Sequence, residues 1–180
     1  MAPLFETAKS FVDVPITEDG VETASFLVAT TDFLNMFDLL GHGVFGFVQS
    51  DLRGNLAGVR TRYEATPSQS TTLEKLVICA TEDKERHSVP CLVRLIRGLL
   101  FTCQALQNMQ SDKSTELHVC FKRSYDVVLK HHHTFIIRSA VAVRGSHEKF
   151  DSELAKWLDA LDIIVKRVKT FLEEGGYGRV

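Results

Sequence analysis

Along Val44–Tyr63, VFGFVQSDLRGNLAGVRTRY, apolar side chains recur at helical spacing and no proline intervenes. At about 100° per residue, Val44, Val48, Leu52 and Val59 share one face. Asp51 and Asn55 fall on that same face, four residues apart. A polar group on a core-facing stripe costs roughly 2–7 kcal/mol unless something hydrogen-bonds it. The pair therefore predicts a polar partner inside or beside the core.

The rest of the chain also reads as helices. Thr17-Glu18-Asp19 resembles a helix start with early acidic charge. Phe26, Phe33, Phe37 and Leu40 then keep helical spacing until Gly41. Glu64–Ser70 is a loop punctuated by Pro67. Thr71–Lys84 predicts a helix, and the charged run Glu82–Ser88 an exposed connection. Val89–Met109 is strongly apolar, and Pro90 fits only in its first turn. Thr115–Val143 is one helix or a broken pair. Asp151–Glu174 places Leu154, Leu158, Leu161, Val165, Val168 and Leu172 on one stripe. Residues 1–14 read as a loose arm and 175–180 as a flexible glycine-rich tail. No segment alternates convincingly as a strand. The expectation is a single all-α domain over residues 1–180 with about six to eight helices. Val89–Met109, apolar on more than one side, belongs in its middle layer.

Composition narrows the function classes. The 180 residues suffice for one domain with a good core. A formal net charge of −2 argues against a nucleic-acid partner, which calls for a basic surplus. No leader-like h-region appears near the N-terminus, and no stretch approaches the roughly 20 apolar residues of a membrane span. Cys79, Cys91, Cys103 and Cys120 match no metal pattern, so buried free thiols in a reducing cytoplasm are expected.

Two further polar residues interrupt apolar stretches. His133 shares a face with Leu129, Ile136 and Ala140; a core histidine with a backbone partner is the plain reading. Its neighbours His131 and His132 point elsewhere on a helix, so no metal site is expected. Arg94 interrupts LVRLIRGLLF outside the stripe of Leu92, Leu95, Leu99 and Cys103. It is either a surface arginine or a guanidinium placed to grip an anion. Arg97, one turn on, could pair with a helix end or a carboxylate. Asp51 and His133 could be drawn as a catalytic dyad, but no nucleophile elbow or phosphate loop accompanies them. The expected protein is not an enzyme and needs no cofactor. A carboxylate, an amide, an arginine and a histidine can instead hold one polar head, with apolar helices behind them taking an apolar tail.

From about Gly20 to Phe150 the sequence resembles the glycolipid transfer protein family. The resemblance rests on FDLLG (Phe37–Gly41), SDLRGN (Ser50–Asn55), Arg62-Tyr63 followed by Thr66-Pro67 and Thr72-Leu73, the run LVRLIRGLLF, and Lys130–Phe135. It implies a two-layer helical sandwich that wraps the ceramide tails of one sphingolipid and holds the headgroup in a surface recognition centre. Asp51 would accept from the ceramide amide N–H and His133 would donate to its carbonyl, so both amide groups are satisfied. Asn55 would bind sugar hydroxyls. Phe135 stands where the family places a membrane-docking Trp. A monomer that touches membranes transiently from the cytoplasm is implied.

The departures pull two ways. Gly58 replaces a sugar-binding Lys, and Arg94 replaces the Trp on which the first sugar stacks. Arg94 is the mark of the ceramide-1-phosphate branch. That branch expects Lys at Asn55 and Arg at Pro90, and a phosphate attracts several charge-assisted donors. Arg60 or Arg53 could substitute, although Arg53 points away from the Asp51–Asn55 pair. The segment between His133 and Phe150 is about one turn shorter than usual. Glycosphingolipid transfer is the leading expectation; ceramide-1-phosphate transfer, or a lipid sensor without transfer, is the alternative.

Overall fold

The computed structural model describes residues 8–37, 45–112, 115, 117–128 and 148–180. Among them run six α-helices: α1 (Thr23–Phe37), α2 (Phe45–Ala65), α3 (Leu73–Glu82), α4 (Ser88–Ser111), α5 (Leu117–Val128) and α6 (Glu148–Glu174). His133 and Phe135, and residues 134–147 of the segment expected to be short, lie outside the described residues.

α4 is the centre of the fold. It packs on α2, α5 and α6, and α1 lies against α2. Leu92, Leu95, Ile96, Leu99 and Cys103 are wholly buried, as a helix apolar on more than one side requires. By length and composition α4 could cross a bilayer, with a best-window mean hydropathy of 1.5, yet 72% of that window is buried in the fold. The expectation that no stretch approaches a membrane span is corrected here: α4 reaches that length as a core helix.

The helix starts are fixed by side chains. Thr72 Oγ1 accepts from Lys75 N–H at 3.2 Å to cap α3. Glu22 accepts from the N–H groups of Ala24 and Ser25 at the start of α1. Glu85 does the same for α4, accepting from Ser88 N–H and Oγ. Thr17–Asp19 does not begin a helix. It is the turn of a small hairpin, β1 (Ile16–Thr17) and β2 (Gly20–Val21), with Ile16 paired to Val21. Gly20 makes that turn at φ +133°, and Val21 N–H donates to the buried Glu74 carboxylate at 2.8 Å. Arg167 from α6 joins the same carboxylate at 3.1 Å.

Neither terminus behaves as expected where it is described. Phe11 is 1% exposed and packs on Phe33 and Trp157 with ring centroids 5.7 and 5.9 Å away. Aromatic burial of that kind outweighs the polarity of the surrounding arm. At the other end Val180 is 7% exposed. Its N–H donates to Glu173 at 3.1 Å and its carbonyl accepts from Lys169 Nζ at 3.0 Å. Gly175–Val180 is thus a strap seated on the body.

Candidate functional site

The site is built where α2 crosses α4. Two glycines let these helices approach. A Cβ on Gly98 would stand 2.6 Å from Leu52 Cδ2, and one on Gly58 would stand 2.5 Å from Cys91 Sγ. Leu52 therefore meets Gly98, and Gly58 meets Cys91. That antiparallel register brings Asn55 level with Arg94.

Asp51 is exposed and Asn55 is 6% exposed. The expectation that both face the core thus holds for Asn55 alone. Asp51 stands one residue, about 100°, round from buried Leu52 and falls at the margin of the stripe. Asn55 Nδ2 donates to the Asp51 backbone carbonyl at 2.9 Å. This removes the desolvation cost of its amide donor. Among the described residues, the Asp51 carboxylate and the Asn55 side-chain carbonyl have no hydrogen-bond partner, and neither has the exposed Arg94 guanidinium. Two acceptors and one cation collect at the edge of the apolar interior.

The charges of Asp51 and Arg94 reach the same neighbours. Burial pushes the Cys91 thiol up from its ordinary value; Arg94 opposes that and Asp51 adds to it. Burial lowers the Arg97 pKa, as does the Arg94 charge, while Asp51 works the other way. Arg97 Nη2 donates to the backbone carbonyl of Arg179 in the strap. Its pairing is therefore to the strap rather than to a helix end or carboxylate.

The other arginines weighed for an anion are committed elsewhere. Arg60 donates to Thr31 Oγ1 at 2.9 Å, and Arg53 to Asn35 Oδ1 at 3.1 Å, both on α1. Gly58, where the family resemblance implies a missing lysine, lies at the helix crossing. Cys91 Sγ and His87 Nε2, themselves 3.6 Å apart, close over it. Cys91 is buried and free as expected, whereas His87 carried no signal in the sequence. Periodicity could place Cys91 on the inner side of α4, but only the crossing register shows that it faces Gly58. Of the expected set, the crossing register places Asn55 level with Arg94, and the charges of Asp51 and Arg94 both reach Cys91 and Arg97. Among the described residues no cluster of His, Cys, Asp and Glu could hold a metal.

The described residues form a mainly helical domain with Asp51, Asn55 and Arg94 at the edge of its interior, and comparison with known proteins gives its family. The family description "Glycolipid transfer protein (GLTP)" matches residues 21–146. The chain is 35% identical over 184 residues to a glycolipid transfer protein of Aureobasidium melanogenum, covering 93% of this chain and 92% of that one. The solved structure of HET-C2, a fungal glycolipid transfer protein, superposes with a TM-score of 0.85 at 36% identity, covering 95% of this chain and 97% of that one. Mouse ceramide-1-phosphate transfer protein in its apo form shares the fold at TM-score 0.83 and 17% identity, each chain covered to 97%. The chain belongs to the glycolipid transfer protein family, whose members transfer glycolipids or ceramide-1-phosphate.

Proposed function

We propose that this protein carries a glycosphingolipid between membranes, holding the sugar and the ceramide amide at the α2–α4 crossing. The observation that carries this reading is the balance of the site. Among the described residues, the Asp51 carboxylate and the Asn55 side-chain carbonyl are two acceptors without a donor, and Arg94 is a cation without an acceptor. Sugar hydroxyls donate readily to such acceptors. A phosphate is drawn by several cations and repelled by an exposed carboxylate, and Arg53 and Arg60 are held on α1. Two relatives named for glycolipid transfer, each at least 35% identical, support the same choice.

Asp51 takes the ceramide amide N–H, Asn55 reads the sugar, and Arg94 borders the headgroup. His133 completes the amide clamp and Phe135 meets the membrane surface; both roles rest on the family resemblance. The protein works as a monomeric carrier in the cytoplasm, with transient membrane contact and no chemical change to its cargo. Arg94 itself favours a second reading, ceramide-1-phosphate transfer, because a free guanidinium is an anion donor.

Vesicle-to-vesicle transfer of labelled galactosylceramide, lactosylceramide and ceramide-1-phosphate tests the proposal. Galactosylceramide or lactosylceramide should move, and mass spectrometry should recover the lipid unchanged. Asn55→Ile should cut glycolipid transfer about tenfold, the loss of one good hydrogen-bonded contact. Arg94→Ala should lower phosphate-lipid uptake more than glycolipid uptake. Asp51→Val should stop both. Extraction of none of the three lipids by the parent chain would sink the carrier reading.

A further inference from the structure

Arg97 has a buried donor left over. Its Nη2 is spent on the Arg179 carbonyl, and its Nε–H is buried with no acceptor among the described residues. An arginine cannot shed its charge to escape such a position. It sits one turn from the free guanidinium of Arg94, and that like charge adds to the burial against it. A second acceptor or an anion beside it would relieve both penalties.

The strap is what occupies Arg97. Tyr177 N–H donates to the Leu172 carbonyl at 2.9 Å, and the Tyr177 ring stacks on Phe171 at 5.3 Å. Beyond it, Gly178 runs close over Val93, where an added Cβ would stand 2.8 Å from Cγ2. Val93 and Arg97 flank Arg94 in the sequence of α4, so the strap meets the same stretch of helix that carries Arg94. Its far end is held by the burial of Val180 and by polar bonds to Lys169 and Glu173 of α6. Those two residues are each about one-third exposed along the side chain.

We propose that Arg97 is a second anion donor of the headgroup site, masked by the strap, so that the strap sets headgroup specificity. With the strap seated, the site offers one free guanidinium against one carboxylate, and a neutral sugar head is preferred. With the strap lifted, Arg94 and Arg97 present two guanidinium groups one turn apart on α4, a pair suited to a phosphate head. The inference rests on the reading that Asp51, Asn55 and Arg94 hold the headgroup. The bland alternative makes Arg97 only a staple for the strap. Releasing the strap would then lower stability and leave headgroup choice where it was.

The test compares uptake of labelled galactosylceramide and ceramide-1-phosphate from otherwise identical phosphatidylcholine vesicles. The full chain with Lys169→Ala and Glu173→Gln loses the polar hold on the strap without touching the headgroup cluster. A chain ending after Gly175 is the second variant. In both, the ratio of phosphate-lipid to glycolipid uptake should rise about tenfold, the scale of one charge-assisted bond. Adding Arg97→Gln should return the ratio to its parent value. A ratio unmoved in both variants, in a parent that extracts glycolipid, overturns the strap inference and leaves the carrier reading standing. A parent that extracts neither lipid overturns both. Thermal protection of the released variants by inorganic phosphate, with no gain in phosphate-lipid uptake, assigns Arg97 to a free anion and overturns the headgroup role.

Discussion

Gly58 shows how one residue decides what the site can hold. A lysine there would have to pass Cys91 Sγ and His87 Nε2, which close to 2.5 and 3.2 Å of a Cβ at that position. The missing donor and the tight crossing are therefore one fact. Gly58→Ala should destabilise the fold by about 1–3 kcal/mol through overpacking, measured by denaturant unfolding. Cys91→Ala in the same chain should recover most of the loss. If the double variant is no more stable than Gly58→Ala, the contact is not what holds α2 and α4 together. The cysteines give a second residue-level check. Burial pushes the Cys103 thiol up to about 12, and its Sγ donates to the Leu158 carbonyl at 3.4 Å. At pH 8 it should stay protonated and inert to a thiol reagent in the native state, while the half-buried Cys79 labels first. Labelling of Cys103 at a native-state rate similar to that of Cys79 would contradict this packing.

At the scale of elements, periodicity found most of what is there and failed where structure is set by something other than period. Val44–Tyr63, Val89–Met109 and Asp151–Glu174 differ from α2, α4 and α6 by no more than three residues at either end, because apolar stripes of that length favour a helix. Two-residue strands carry no alternation to read, so the hairpin before α1 was invisible. Thr17–Asp19 looked like a helix start because caps and turns use the same residues. The true caps of α1 and α4 are Glu22 and Glu85, whose carboxylates reach forward from outside the helix. At the site, Asp51, Asn55 and Arg94 were legible as polar breaks in apolar runs. Which of them is buried was not, since that depends on the crossing with α4. Burial works against the charged form of Glu85, but bonds from Ser88 and His87 and the Arg62 charge together hold its carboxyl below the ordinary 4.5. A depressed carboxyl stabilises the fold above its unfolded value, and that contribution is lost as pH falls through the folded value. Glu85→Gln should therefore cost stability at pH 7, near the low end of about 0.5–2 kcal/mol for a lost cap because the group is partly exposed. The difference from the parent should shrink as pH falls below about 4.5. Equal deficits at pH 7 and in acid would show that shape, not charge, makes this cap.

At the scale of the whole molecule, the strap ties α6 to the stretch of α4 that carries Val93 and Arg97. Its two anchors differ in kind. Tyr177 is held by the Leu172 carbonyl and a stacked ring, neither of which titrates in acid. Val180 is held by Glu173, whose carboxyl is opposed by burial but kept below the ordinary 4.5 by Lys169, the Val180 N–H and the Arg179 charge. A carboxyl depressed in the folded state contributes above its unfolded value and stops contributing as pH falls through its folded one. The strap should therefore loosen from its far end in acid while its near end stays seated. Backbone amide spectra followed from pH 7 downward should show the Val180 amide moving with a midpoint below about 4.5, and the Tyr177 amide unmoved over the same range. Glu173→Gln should abolish the Val180 transition and leave a strap already loose at pH 7. A Val180 amide indifferent to both acid and Glu173→Gln would mean that the apolar burial of Val180 holds the strap. Removing the polar anchors would then leave Arg97 masked, and headgroup choice would have to be read from Asp51, Asn55 and Arg94 alone.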